Sequence, residues 1–308
     1  DCVGSSLRIL RLYGICGIIA AGLGALAATG PAAYAAGPPI KTQQCSVAPL
    51  LPNSFMMNHD RLYVGNRSNF ITSYWGKTAD AASGFLLNAV PDIVIGGSST
   101  QLSLVSKNLL AGMARDAGRH LLYVAGPNVN TVTVYPQPAA NQPGTAQNLA
   151  PIGVLSPTTV ALGGPGPSQP AGLALDTPHQ LLYVANPGNN TVTAYALTTV
   201  ADSSTGRTTS VTFKWKATLT GLSAPLGLAL NSVGTRLYVG NRGSNSIALY
   251  AVDLTDPTGP KFTLVPLDAP LQDLTGPMGI ALHPQGIKLY VAGNGKVANW
   301  YSVTIYDI

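Results

Sequence analysis

The sequence contains no glutamate, and all twelve of its acidic side chains are aspartates. Charged residues make up only 9 % of the 308 residues, against roughly 25 % in typical soluble proteins. The polar surface must therefore consist mainly of Asn, Ser, Thr, Gln and Gly. The 17 basic residues are scattered singly, and the net charge of +5 reflects the scarcity of acids. Without the basic cluster that follows a phosphate backbone, we expect no nucleic-acid partner.

The N-terminal segment has a composition of its own. Arg8 and Arg11 precede an apolar stretch from about residue 12 to residue 28, and small residues with an A-x-A pattern follow at 33–35. This order is typical of a secretory signal peptide, which we predict for residues 1–35. The alternative is a single membrane anchor, although the Gly- and Ala-rich stretch is short and weakly hydrophobic for a stable span. We therefore expect a secreted or periplasmic protein with no stable membrane span after cleavage.

Cysteine is also scarce. Cys2 and Cys16 lie in the predicted signal peptide, so export leaves Cys45 as the one cysteine of the mature chain. A single thiol cannot form an internal disulfide. The fold must therefore be stabilised by its core, which a hydrophobic content of 46 % can supply.

Short β-type runs recur along the mature chain, which shows no helical hydrophobic periodicity. Five copies of an L-Y-V run are each followed by a break and a second alternating run, the pattern of a β-hairpin. The repeats follow at intervals of 60, 60, 55 and 52 residues, and their marker tyrosines are Tyr63, Tyr123, Tyr183, Tyr238 and Tyr290. Regular spacing of this size indicates a solenoid or a propeller.

Two further strands are predicted around these hairpins. A run that precedes the hairpin occurs as PAGLALD from Pro170, PLGLALN from Pro225, PMGIALH from Pro277 and, more loosely, LLAGMARD from Leu109. A run that follows it is seen from Phe213 and from Phe262. Four antiparallel strands per repeat make one propeller blade. We therefore predict an all-β fold, a β-propeller of four-stranded blades with five visible repeats, for residues 52–308.

The combined pattern PxGLAL, LYVAN and NTVTAY resembles the YVTN-type β-propeller repeat of bacterial and archaeal exported proteins. That group lies near the lactonase-like and quinoprotein-like propellers, and its members usually have six or seven blades. The fifth copy here ends at 302–308 without an outer strand. Either the N-terminal segment 36–51, through the run from Cys45, supplies this strand and closes the ring, or further sequence is missing. Full closure would leave no exposed sheet edge.

The turns between the second and third strands of all blades lie on one face of the predicted ring. These turns are rich in Asn and include three cations. The residues that we predict to contact a ligand are Asn66, Arg67, Asn128, Asn186, Asn241, Arg242, Asn294 and Lys296. Asn also tolerates positive φ and is a common turn residue, so a purely structural role is the alternative. The functional interpretation is a neutral-to-basic face that binds a polar or anionic ligand, or a protein partner.

Catalytic and metal-binding patterns are largely missing. A gluconolactonase-like metal site would use a Glu among several oxygen ligands, and the chain has no Glu. The run GLSAP from Gly221 lacks the last glycine of the G-x-S-x-G motif. The histidines are expected in or near the first turns of separate blades, too far apart to share one metal; they are His59, His120, His179 and His283. We predict no catalytic residue, no metal and no cofactor.

Two functions remain open at this point. The first is an exported, non-catalytic propeller that acts as a binding or scaffold module through its Asn- and Arg-rich face. The alternative is a lactonase-like hydrolase with a site in the central channel. A His or Asp within hydrogen-bond reach of an Arg at the channel mouth would favour the hydrolase.

Overall fold

A computed structural model provides the structure of this chain. It describes residues 43–46, 54–58, 61–66, 70–75, 93–102, 112–137, 146–160, 164–266, 274–294 and 300–308. Five antiparallel, four-stranded blades form a ring, so the predicted all-β propeller is confirmed. The helical elements of these ranges are two short 3-10 turns, at Ser98–Thr100 and Arg242–Ser244. None of the described helical segments is long and apolar enough to cross a membrane. The predicted signal peptide lies outside the described residues.

The strands are numbered along the chain. Strand β1 (Gln43–Ser46) belongs to the last blade. Blade 1 contains β2 (Ser54–Asn58), β3 (Arg61–Asn66), β4 (Phe70–Trp75) and β5 (Ile93–Ile95). Blade 2 contains β6 (Met113–Asp116), β7 (Leu121–Gly126), β8 (Thr131–Pro136) and β10 (Gly153–Leu155), whereas β9 (Ala146–Gln147) pairs in parallel with β5. This fifth strand on blade 1 is an addition that the repeat pattern did not predict.

The remaining three blades follow the same order from the centre outwards. Blade 3 contains β11 (Leu173–Asp176), β12 (Leu181–Asn186), β13 (Thr191–Ala201) and β14 (Thr208–Leu219). Blade 4 contains β15 (Pro225–Leu230), β16 (Arg236–Asn241), β17 (Ser246–Asp253) and β18 (Lys261–Val265). Blade 5 contains β19 (Gly279–Leu282), β20 (Lys288–Asn294) and β21 (Trp300–Asp307), and β1 pairs with β21 as its outer strand.

The middle of a second strand is apolar at consecutive positions because both of its faces pack against neighbouring blades. In β12, Tyr183 and Ala185 lie in a hydrophobic cluster shared with blade 4. Leu182 and Val184, which alternate with them, lie in the cluster shared with blade 2. The marker tyrosine is the third residue of the second strand in every blade, and all five are at most 9 % exposed. Their predicted equivalence is confirmed.

The glycine of the PxG run lets adjacent innermost strands approach closely. A Cβ on Gly172 would lie 2.1 Å from the carbonyl oxygen of Leu226 in the next blade, and a Cβ on Gly112 would lie 2.3 Å from that of Ala171. The backbone N–H of Gly112 donates to the same Ala171 oxygen at 2.7 Å. A side chain at these positions would push neighbouring blades apart where they meet around the centre.

Candidate functional site

The turns between second and third strands form what we call the turn face. Asn186 ends β12 and Asn241 ends β16, at equivalent positions, and they are 0 % and 5 % exposed. The Asn186 Oδ1 accepts the backbone N–H of Ser168 at 3.1 Å, and the Asn241 Oδ1 accepts that of Ser223 at the same distance. Each amide therefore ties the turn to the loop that leads into its own innermost strand. These contacts support the structural alternative for Asn186 and Asn241.

A second set of asparagines connects each blade to the next one. Asn130, Asn190 and Asn245 end their turns in the left-handed region, with φ of 54°, 58° and 52°. The Asn190 Oδ1 accepts the backbone N–H of Ala224 in the following blade at 2.8 Å. The equivalent bonds join Asn130 to Gln169 and Asn245 to Gly276, each at 2.7 Å. All three donors also have positive φ and directly precede the Pro of the PxG run.

The other predicted ligand-contact residues are placed as follows. Asn128 and Arg242 are exposed on the turn face, and Arg242 makes no ion pair with any residue of the described ranges. Asn66 ends β3 and Asn294 ends β20, and only their backbones are described. Arg67 and Lys296 lie outside the described residues. The exposed charge that the structure places on this face is therefore the Arg242 guanidinium.

The opposite face carries two charge pairs at the inner ends of neighbouring blades. Asp116 ends β6, and its Oδ2 accepts the Arg119 Nη1–H at 2.8 Å. Asp176 ends β11, and its carboxylate lies 2.9 Å and 3.0 Å from the His179 Nδ1. The aspartate side chains are 3 % and 1 % exposed, whereas Arg119 and His179 are 31 % and 43 % exposed. Each buried carboxylate therefore orients a basic group at the surface.

Buried tyrosines accompany these aspartates. Burial raises the pKa of Tyr123, and the charge of Asp116 raises it further. The same two causes, burial first and then Asp176, raise the pKa of Tyr183. The neutral phenol is therefore the stable form at both positions, because an ionised one would be desolvated and repelled by a carboxylate.

The histidines are distributed as the repeat pattern predicted. His120, His179 and His283 lie in or beside the turns between first and second strands of three blades, and His59 lies outside the described residues. In the part of the chain that the structure describes, no three His, Cys, Asp or Glu side chains are grouped to hold a metal.

The Asp–Arg and Asp–His pairs were not predicted as site residues. Their signal is a D-x-x-R or D-x-x-H run, DAGR in one repeat and DTPH in the next. The structure meets part of the criterion for a hydrolase, because Asp116 lies within hydrogen-bond reach of Arg119 where an innermost strand ends.

Fold and sequence comparisons agree on a β-propeller. The model of the family "Lactonase, 7-bladed beta-propeller" matches residues 112–259. A 6-phosphogluconolactonase-like protein of Bacteroides uniformis is 16 % identical, with a TM-score of 0.51 over 83 % of this chain and 71 % of its own. A protein of Lactobacillus plantarum is 20 % identical, with a TM-score of 0.51 over 86 % of this chain and 72 % of its own.

A second 6-phosphogluconolactonase-like protein, from Bacteroides fragilis, is 16 % identical with a TM-score of 0.50 over 83 % of this chain and 73 % of its own. The chain covers 62 % to 73 % of the length of the similar solved structures. Curated protein sequences give no match. At sequence identities of 16 % to 20 %, the likeness to these solved structures shows the fold alone. The match to the family model shows that the segment 112–259, which contains blades 2 to 4, is similar to lactonase-like propellers.

Proposed function

We propose that this chain is an exported, non-catalytic β-propeller of the YVTN-repeat group that binds a polar or anionic ligand at its turn face. The observation that supports the proposal is the exposed Arg242 on a turn that is fixed at both ends. Asn241 ties the start of that turn to Ser223, and Asn245 ties its end to Gly276 of blade 5. An Arg on a rigid backbone loses little entropy when it binds a carboxylate or phosphate through two parallel hydrogen bonds.

The amides of this face contribute mainly to its rigidity. Asn186, Asn190, Asn241 and Asn245 all use their side-chain oxygens to accept backbone N–H groups. The ligand selectivity that we propose therefore comes from exposed cations and not from a ring of free amides. A small anion or an acidic group on a larger partner fits this face best.

The test is isothermal titration calorimetry of the purified protein with inorganic phosphate, citrate and a sugar phosphate. Arg242→Ala should weaken binding of the anion about tenfold, the equivalent of about 1.4 kcal/mol. Arg236→Ala is the matched control, because Arg236 is exposed at the other end of β16. If no anion binds, or if both variants bind equally well, the proposed ligand class is wrong.

A lactonase-like hydrolase is the second candidate, favoured by the family match over residues 112–259. His179 is the residue that would act, since Asp176 holds its Nδ1 and the ring is partly exposed. An imidazole oriented in this way can remove a proton from the water that attacks a lactone carbonyl.

Hydrolysis of a sugar lactone separates the two candidates. The non-catalytic proposal predicts no rate above the spontaneous one, with or without added calcium or zinc. Turnover that His179→Gln abolishes and His120→Gln retains would establish the hydrolase instead. Turnover that a chelator removes would further show that the expectation of a metal-free protein is wrong.

A further inference from the structure

Two equivalent tyrosine hydroxyls are enclosed in the interfaces between blades. The side chains of Tyr123 and Tyr183 are 0 % exposed. Their hydroxyl groups have no hydrogen-bond partner among the described residues. A buried hydroxyl that loses its hydrogen bond to water without a replacement costs stability, so native proteins provide a partner in most cases.

A buried carboxylate faces each hydroxyl. Ala174 of β11 pairs with Tyr183 of β12, and Asp176 lies two residues further along β11, on the same face of the sheet. Blade 2 repeats this arrangement with Ala114, Tyr123 and Asp116. The aspartate charge contributes to the raised pKa of the tyrosine in each blade. The two groups are therefore close without touching.

The carboxylates retain capacity to accept a hydrogen bond. The Asp176 Oδ1 accepts the backbone N–H of His179 at 3.2 Å as well as contacting its Nδ1, whereas Oδ2 contacts the Nδ1 alone. Gly234 of blade 4, whose φ of +77° lies in the left-handed region, packs closely against Oδ2 from the neighbouring blade. A Cβ on Gly234 would lie 2.2 Å from this oxygen.

We propose that each of these two blade interfaces contains a binding site for one buried water molecule, which joins Tyr183 to Asp176 and, in the preceding interface, Tyr123 to Asp116. The water accepts the phenolic O–H and donates to the carboxylate. Both buried groups thereby become satisfied, as is usual for internal waters with two or more polar partners.

Blade 4 provides an internal comparison. Tyr238 is equivalent to Tyr183, but Asn231 stands where blade 3 has Asp176. The Asn231 Oδ1 accepts the backbone N–H groups of Thr235 and Arg236 at 2.8 Å and 2.9 Å. This amide is committed to its own turn, so the water site is a property of blades 2 and 3.

The test is the melting temperature of Tyr183→Phe and Tyr123→Phe, with Tyr238→Phe as the matched control. Each of the first two variants should lose the bridge and melt about 2–4 °C lower, the shift that corresponds to one lost hydrogen bond in a domain of this size. The control should change by less than half as much. A crystal structure of the parent protein at high resolution should show the water within hydrogen-bond distance of Tyr183 and Asp176.

Two results would overturn the proposal. Removal of an unpartnered buried hydroxyl is neutral or stabilising, so Tyr183→Phe and Tyr123→Phe proteins that melt at or above the parent temperature exclude a bound water. Clear density for both side chains with no water between them excludes it as well. These results leave the proposed anion binding untouched, because Tyr183 and Tyr123 do not reach the turn face.

Discussion

The hydrogen bond that Asn190 accepts from the next blade should contribute measurably to the stability of the fold. The Asn190 Oδ1 accepts the Ala224 N–H of blade 4 at 2.8 Å, and its own φ is 58°. Asn190→Ala removes the hydrogen-bond acceptor. It also places an alanine, which disfavours positive φ, in the left-handed region of the backbone. The lost hydrogen bond is worth about 0.5–1.5 kcal/mol, and the backbone penalty is about 1 kcal/mol.

The expected loss for Asn190→Ala is therefore about 2 kcal/mol, which lowers the melting temperature of a domain of this size by about 4–8 °C. Asn190→Gly separates the two contributions, because glycine tolerates positive φ but offers no acceptor. That variant should lose about 1 kcal/mol. Asn190→Asp keeps the acceptor and should remain close to the parent.

Equilibrium unfolding in urea, with a parallel thermal melt, measures these differences. Asn189→Ala is the neighbouring control, since the Asn189 Oδ1 accepts the Thr191 hydroxyl of the same turn at 2.8 Å and does not bond to the next blade among the described residues. If Asn190→Gly is as stable as the parent protein, the bond between blades contributes nothing. If Asn190→Ala and Asn189→Ala lose the same stability, the explanation by left-handed backbone and interblade bonding is refuted.

Three further predictions concern the core and the titrating groups. Gly172→Ala should prevent stable folding or cost several kcal/mol, because its Cβ would meet the Leu226 oxygen at 2.1 Å, whereas Gly118→Ala, whose nearest contact is 3.6 Å, should fold normally in a circular dichroism melt. Burial raises the pKa of Tyr135 from 10.0 to about 12. The stabilising contribution of the neutral phenol is therefore complete below about pH 10 and is lost as the pH rises from about 10 towards 12. Unfolding above about pH 10 should therefore coincide with a cooperative rise in tyrosinate absorbance, and gradual ionisation of a folded protein would contradict it. Hydrogen bonds from Ser204 and Thr205 lower the pKa of Asp202 to about 2, so its contribution is present above about pH 4 and is lost as the pH falls towards 2. With few carboxylates in the chain, the melting temperature should fall by less than about 15 °C between about pH 7 and pH 3 at constant ionic strength.

The blade and its repeat could be predicted from local features of the amino-acid sequence. The L-Y-V run is apolar at consecutive positions, and a strand with this pattern must be buried on both faces, as β12 is between blades 2 and 4. The Asn- and Gly-rich breaks determined where the hairpins turn. These features could be predicted because backbone preference and burial are local properties that a short run of residues expresses.

The roles of the polar side chains, in contrast, depend on contacts that form only in the folded ring. Asn186 and Asn190 are both turn residues in sequence, yet one ties its own blade together and the other binds the next blade, through partners 18 and 34 residues away. The pairing of β1 with β21 and the placement of Asp176 beside Gly234 likewise depend on segments that are distant in sequence. The physical reason is that a hydrogen bond or a close approach requires two groups in a fixed geometry, and only the closed arrangement of neighbouring blades supplies the second group.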